Sequence, residues 1–120
     1  MSAAIALLVC LSTQAAQPEP ASVVYYSPGV FERVVRVRER QGYRLVRTEG
    51  WVTSPYCSDI GKTLWLSVGG NRVHLTVADC SQTRDRARHI RRGQREVDYR
   101  TAVRLGMVKY GRVRGLVWPE

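Results

Sequence analysis

Two apolar, β-prone runs, TLWLSV (Thr63–Val68) and VHLTVA (Val73–Ala78), are separated only by Gly69-Gly70-Asn71-Arg72. That composition supplies the positive φ angles of a tight turn, so the pattern predicts a β-hairpin. Upstream, SVVYYS (Ser22–Ser27) predicts a strand that Pro28-Gly29 ends. The next segment, VFERVVRVRER (30–40), fits two periods. Val30, Val34 and Val37 recur at helical spacing, Val35-Arg36-Val37-Arg38 alternates like an edge strand, and the helix is the slightly better match. Tyr43–Thr48 and Trp51–Thr53 read as strand material around Glu49-Gly50, and Pro55–Gly61 as a loop carrying Cys57. The pattern breaks at RDRARHIRRGQR (84–95), where Ile90 is nearly alone as an apolar residue; a long charged loop or a short exposed helix is expected. Beyond it, Tyr99, Ala102, Val103 and Leu105 share a helical face, with Asp98 at the N-cap and Gly106 at the stop. Val113–Trp118 makes a closing strand.

Many short strands, one or two short helices and glycine-marked turns predict a mainly β fold, a small six-stranded barrel in preference to a sandwich. A domain of about 100 residues cannot cover two open sheet faces, so the sheet must close on itself.

The N-terminus is of another kind. Ala3–Leu11 is an uncharged apolar run followed by small and polar residues up to Ala16, the shape of a signal peptide over residues 1–16 and too short to span a membrane. A Pro-rich linker (17–21) then leads into the folded domain (22–120), and a secreted, extracytoplasmic protein is expected. Removing the leader leaves two cysteines, Cys57 and Cys80, and an even pair in an exported domain reads as a disulfide. Its loop of about 24 residues is worth on the order of 3 kcal/mol in the chain-entropy model. These cysteines are far apart in sequence and His74 and His89 are not at ligand spacing, so neither a metal nor another cofactor is expected.

Charge narrows the partners. With 19 Lys and Arg against 10 Asp and Glu, the net charge is +9 and nearly all of the positive side chains are arginine. Such a chain is drawn to polyanions: nucleic acid, anionic membrane surfaces or acidic wall polymers. Export favours the last two. The arginine run also lacks the interleaved aromatics expected of a single-strand binder.

The order of a hairpin, VADC with Asp79, a variable loop, EVDY with Asp98, the helix AVRLGM and a final strand resembles the rare lipoprotein A-like and expansin-like families. ASVVYYSPG (21–29) is similar to their first strand, and the resemblance spans residues 21 to 118. It implies a double-psi β-barrel that binds or remodels cell-wall polysaccharide, peptidoglycan or glucan; separately from the resemblance, a monomer is expected. On that footing Asp98 is the candidate proton donor and Asp79 its partner, since a carboxyl can protonate a glycosidic oxygen when burial or a neighbouring carboxylate raises its pKa. Tyr56, Trp51, Tyr99, Arg84 and Arg86 are the candidate substrate contacts, and a Cys57–Cys80 bridge would brace the groove. The chain departs from the family where a histidine is expected: Thr53-Ser54-Pro55-Tyr56-Cys57 has none. Other readings stay open for both acids: a helix N-cap for Asp98, and a turn acceptor for Asp79. A non-catalytic binding module or secreted effector that holds an anionic polymer is the alternative function.

Overall fold

The computed structural model describes residues 17–120; the expected signal peptide, 1–16, lies outside the described residues. Six strands, β1 (Glu19–Tyr25), β2 (Gly50–Ser54), β3 (Thr63–Val68), β4 (Asn71–Cys80), β5 (Gln94–Val97) and β6 (Val113–Pro119), close into a barrel in the order β1-β5-β2-β4-β3-β6. The β1/β5 and β2/β4 pairs are parallel and the other four antiparallel. Three helices, α1 (Val30–Arg40), α2 (Thr83–Arg92) and α3 (Tyr99–Arg104), and a 3₁₀ turn at Cys57–Asp59 fill the connections. No helix among the described residues is long and apolar enough to cross a membrane.

The hairpin follows its sequence pattern closely. Val68 pairs with Asn71 across Gly69-Gly70, whose φ angles of 55° and 88° are those that only glycine adopts without strain. Alternation then sorts the strands: Leu64, Leu66, Val73, Leu75 and Val77 point inward with Val23, Val52, Val97 and Val117, all essentially inaccessible. Each such side chain contributes about 1.5–3 kcal/mol on burial, so this interior is the main source of stability.

Segment 30–40 is helical because Phe31 and Val35, four residues apart, both bury on the barrel while Arg33, Arg36 and Arg40 face water. The buried face is therefore Phe31/Val35, displaced from the Val30/Val34/Val37 stripe; Val37 is exposed. Tyr43–Thr48, expected as strand, is irregular. A closed barrel leaves no edge for it to pair with, since β2 already lies between β5 and β4. Its backbone is tied by side chains instead: Thr76 Oγ1 donates to the Val46 carbonyl at 2.6 Å, and Leu45 is buried. The first strand starts at Glu19 rather than Ser22, so most of the expected linker is barrel, with Pro20 opposite Leu116 on β6. The arginine-rich segment forms α2 and stops at Gly93, which is left-handed (φ 59°).

Candidate functional site

At the ends of β1 and β4 the chain builds a cleft of about 480 Å³ between α1, α2 and β5. Tyr26, Arg38, Asp79, Ser81, His89 and Glu96 line it, with Cys57–Cys80 and Arg84, Asp85 and Arg86 along its border. Asp79 ends up there because β4 runs on past its pairing with β3, which reaches only to Thr76, and because a bulge shifts its register on β2, Val52 facing Val77 but Thr53 facing Asp79; Ala78 is buried and Asp79 turns out to the cleft. Both of its oxygens are engaged: Arg38 Nη2 donates to Oδ1 at 2.9 Å and the Tyr26 hydroxyl to Oδ2 at 2.9 Å. The Cys80 N–H also donates to Oδ1. Arg38 is delivered by α1, one turn beyond the buried Val35, and Tyr26 is held by stacking on Phe31 at 4.5 Å.

Glu96 is a second carboxylate of the cleft, and a third, Asp85, is paired with Arg84 and Arg88. Strand alternation buries Val97 and therefore turns Glu96 outward, where α2 half-covers it. Burial pushes its carboxyl above the ordinary value and the charge on Asp79 adds to this; a hydrogen bond from Gln94 (3.2 Å) and the positive potential of His89 oppose it without cancelling it. The Tyr26 hydroxyl, buried between Glu96 and Asp79, is held firmly protonated, first by burial and then by the two carboxylates. One wall is tied down by Ser81 Oγ and His89 Nδ1 at 2.6 Å and by Arg86 Nε donating to the Pro55 carbonyl at 3.0 Å. The disulfide joins Cys57 to Cys80 with Cα atoms 4.9 Å apart, so the residue after Asp79 is covalently fixed to the loop that follows β2.

Asp98 is elsewhere. It is 2% exposed and caps α3, its Oδ2 accepting from the Thr101 N–H (3.3 Å) and its Oδ1 from the Thr101 hydroxyl (2.5 Å) and the Trp51 N–H (2.9 Å). These bonds draw it inside, at the level of Trp51 on the β5 side of β2. Asp79 sits opposite Thr53 on the β4 side. The two aspartates therefore do not share a hollow; Glu96 takes the place expected of Asp98. Gly50 makes room for the arrangement, since a Cβ there would run into Thr101 Oγ1 and come within 2.7 Å of Asp98 Oδ1.

The other expected contacts scatter. Arg84 and Arg86 border the cleft, but Tyr56 lines a separate cavity beside Asp59 and Lys62. Trp51 is half-buried under the Arg47 guanidinium (5.1 Å), and Tyr99 packs edge-on against Tyr25. His74 faces outward, stacked on Trp65 and paired with Glu120. Among the described residues no cluster of three or more His, Cys, Asp or Glu side chains could hold a metal ion. Comparison with protein-family models, curated proteins and solved structures gave no significant match. The cleft has to be read from its own chemistry.

What sequence reasoning missed is Glu96, Tyr26 and Arg38. Glu96 was readable from the alternation of EVDY, with Val97 inward. Arg38 and Tyr26 come from elements that only the closed barrel brings together.

Proposed function

We propose that this protein binds extracytoplasmic polysaccharide in the Tyr26/Asp79/Glu96 cleft and cleaves or loosens it by proton donation from Glu96. The observation that carries the reading is the inequality of the two carboxylates: Glu96 has its proton affinity raised by burial, whereas Asp79 is charge-compensated by Arg38 and hydrogen-bonded by Tyr26. Paired carboxyls in unlike environments divide acid work from electrostatic work. Because both Asp79 oxygens are occupied, Asp79 is a poor base for activating water, and the scheme that fits is one with a single acid. Glu96 protonates the glycosidic oxygen as the bond breaks. Asp79 offers negative charge to the oxocarbenium-like centre, a hydroxyl of the sugar itself closes on it, and the proton of that hydroxyl returns to the Glu96 carboxylate, as the rare lipoprotein A-like resemblance implies. The missing family histidine is no obstacle to a one-acid scheme.

Two further facts support the wider reading. A closed six-stranded barrel with two parallel pairs is compatible with double-psi connectivity, and a disulfide favours an oxidising, extracytoplasmic setting. The test is incubation with peptidoglycan and with β-glucan, with soluble fragments read by mass spectrometry. Fragments from the wild type, and their loss in Glu96→Gln with pull-down on the polymer retained, are the expected result. Undiminished release by Glu96→Gln would overturn the acid assignment. Salt-sensitive pull-down with no release by the wild type would leave the binding-module alternative.

A further inference from the structure

A concavity larger than the carboxylate cleft lies elsewhere on the described residues. It is an open groove of about 1140 Å³ that crosses the outside of β1 and β6, from the end of α2 to the Gly69-Gly70 turn. Arg91 and Arg92 stand at its α2 end, Arg114 on β6 and Arg112 just ahead of that strand. No carboxylate lines it, and none of the four arginines pairs with an acid among the described residues. The rest of the cluster differs: Arg84 and Arg88 contact Asp85, and Arg86 is spent on the Pro55 carbonyl. So the arginine-rich run divides by structure, its first half satisfied internally and the last turn of α2 bordering the groove together with Arg112 and Arg114 at the distant start of β6.

We infer that this groove is a second binding site, for a polysaccharide carrying oxyanion groups along its chain, either carboxylate or sulfate. Four unpaired guanidinium groups around one concavity repel one another, and an anionic chain relieves that repulsion while each planar fork takes one oxyanion in bidentate fashion. The free carbonyls at the end of α2 work weakly against an anion, and Arg91 and Arg92 in the last turn offset them. Ser22 and Ser67 add polar edges, and Arg112 is already oriented by its 2.6 Å bond to Ser22 Oγ. Nucleic acid is the weaker fit because the groove contains no aromatic side chain on which a base could stack. A bilayer is a poor fit too, since the arginines surround a hollow and not a protruding apolar face. The choice of a glycan over other polyanions rests on the reading proposed above; the groove itself does not.

The test is calorimetric titration of the full chain with oligogalacturonate, with dextran sulfate of matched length, with neutral dextran and with oligothymidylate. Either acidic glycan is expected to bind, the two arms telling carboxylate from sulfate, with affinity falling as salt is raised. The double variant Arg92→Ala/Arg114→Ala, both at exposed positions, is expected to weaken binding by about tenfold or more, and Arg88→Ala to leave it unchanged. Arg112 is left intact because Ser22 depends on it. Absence of binding by both acidic glycans at low salt would overturn the inference. So would binding that survives the double variant, or tighter binding of the oligothymidylate. A chain that binds oligogalacturonate through the groove but releases no wall fragments would uphold this site while removing the catalytic reading.

Discussion

Replacing Asp98 with alanine separates a structural acid from a catalytic one. Its carboxylate is 2% exposed and receives three hydrogen bonds, from the Thr101 N–H, the Thr101 hydroxyl and the Trp51 N–H. Loss of an N-cap costs about 1 kcal/mol. Stranding the buried Thr101 hydroxyl and the Trp51 amide adds roughly 1–3 kcal/mol for each donor that water cannot reach. Together Asp98→Ala is expected to cost about 3–7 kcal/mol, which at about 4–8 °C per kcal/mol for a domain of this size lowers the melting temperature by more than about 12 °C. Asp98→Asn keeps an acceptor oxygen and the shape and should lose about half as much. Urea unfolding followed by tryptophan fluorescence measures both, on protein with its disulfide intact. A variant Asp98→Ala within about 0.5 kcal/mol of the wild type, the range of an ordinary surface change, would refute the capping argument and return Asp98 to the candidates for chemistry.

Removal of the bridge by Cys57→Ser/Cys80→Ser should destabilise the domain by about 3 kcal/mol, read from the same urea curves; an unchanged midpoint would mean that the unfolded chain is already constrained. For Glu96 the sign follows from its raised pKa: the folded state holds the proton more tightly, so that contribution to stability is complete below the ordinary value of 4.5 and is lost as pH rises through the raised value. Glu96→Gln should therefore gain on the wild type as pH is raised through that window, and a difference that stays flat with pH would contradict the burial argument. Arg38→Ala leaves Asp79, whose side chain is 18% exposed, without its guanidinium. A loss of about 1–2 kcal/mol is expected, reduced for the solvent that still reaches the pair, and calorimetric melting would show it.

Much of the barrel was legible because its signals are local. The glycine pair between two alternating runs dictates the β3–β4 hairpin, Gly106 follows the end of α3, and the pairing of Cys57 with Cys80 followed from there being no other cysteine beyond the expected leader. What misled were features that depend on closure. Tyr43–Thr48 has strand composition but no free edge, and Glu19, Pro20 and Ala21, in the stretch that resembles a linker, pair with β6. The candidate site was half legible. Asp79 at the end of an apolar strand was a sound pointer to the cleft, and Asp98 met its other reading as a cap. The acid beside Asp79 was hidden in the same EVDY motif: strand parity sends Glu96 outward, while the hydrogen-bonding appetite of the α3 N-terminus draws Asp98 inside.

Amide chemical-shift mapping of the ¹⁵N-labelled protein with soluble peptidoglycan or β-glucan oligosaccharides tests the cleft most directly. The largest shifts are expected at Tyr26, Asp79, Ser81, Arg84, Arg86 and Glu96, with Asp98 and Trp51 quiet. Shifts centred on Trp51, Asp98 and Tyr99, with the Asp79/Glu96 cleft unmoved, would contradict it.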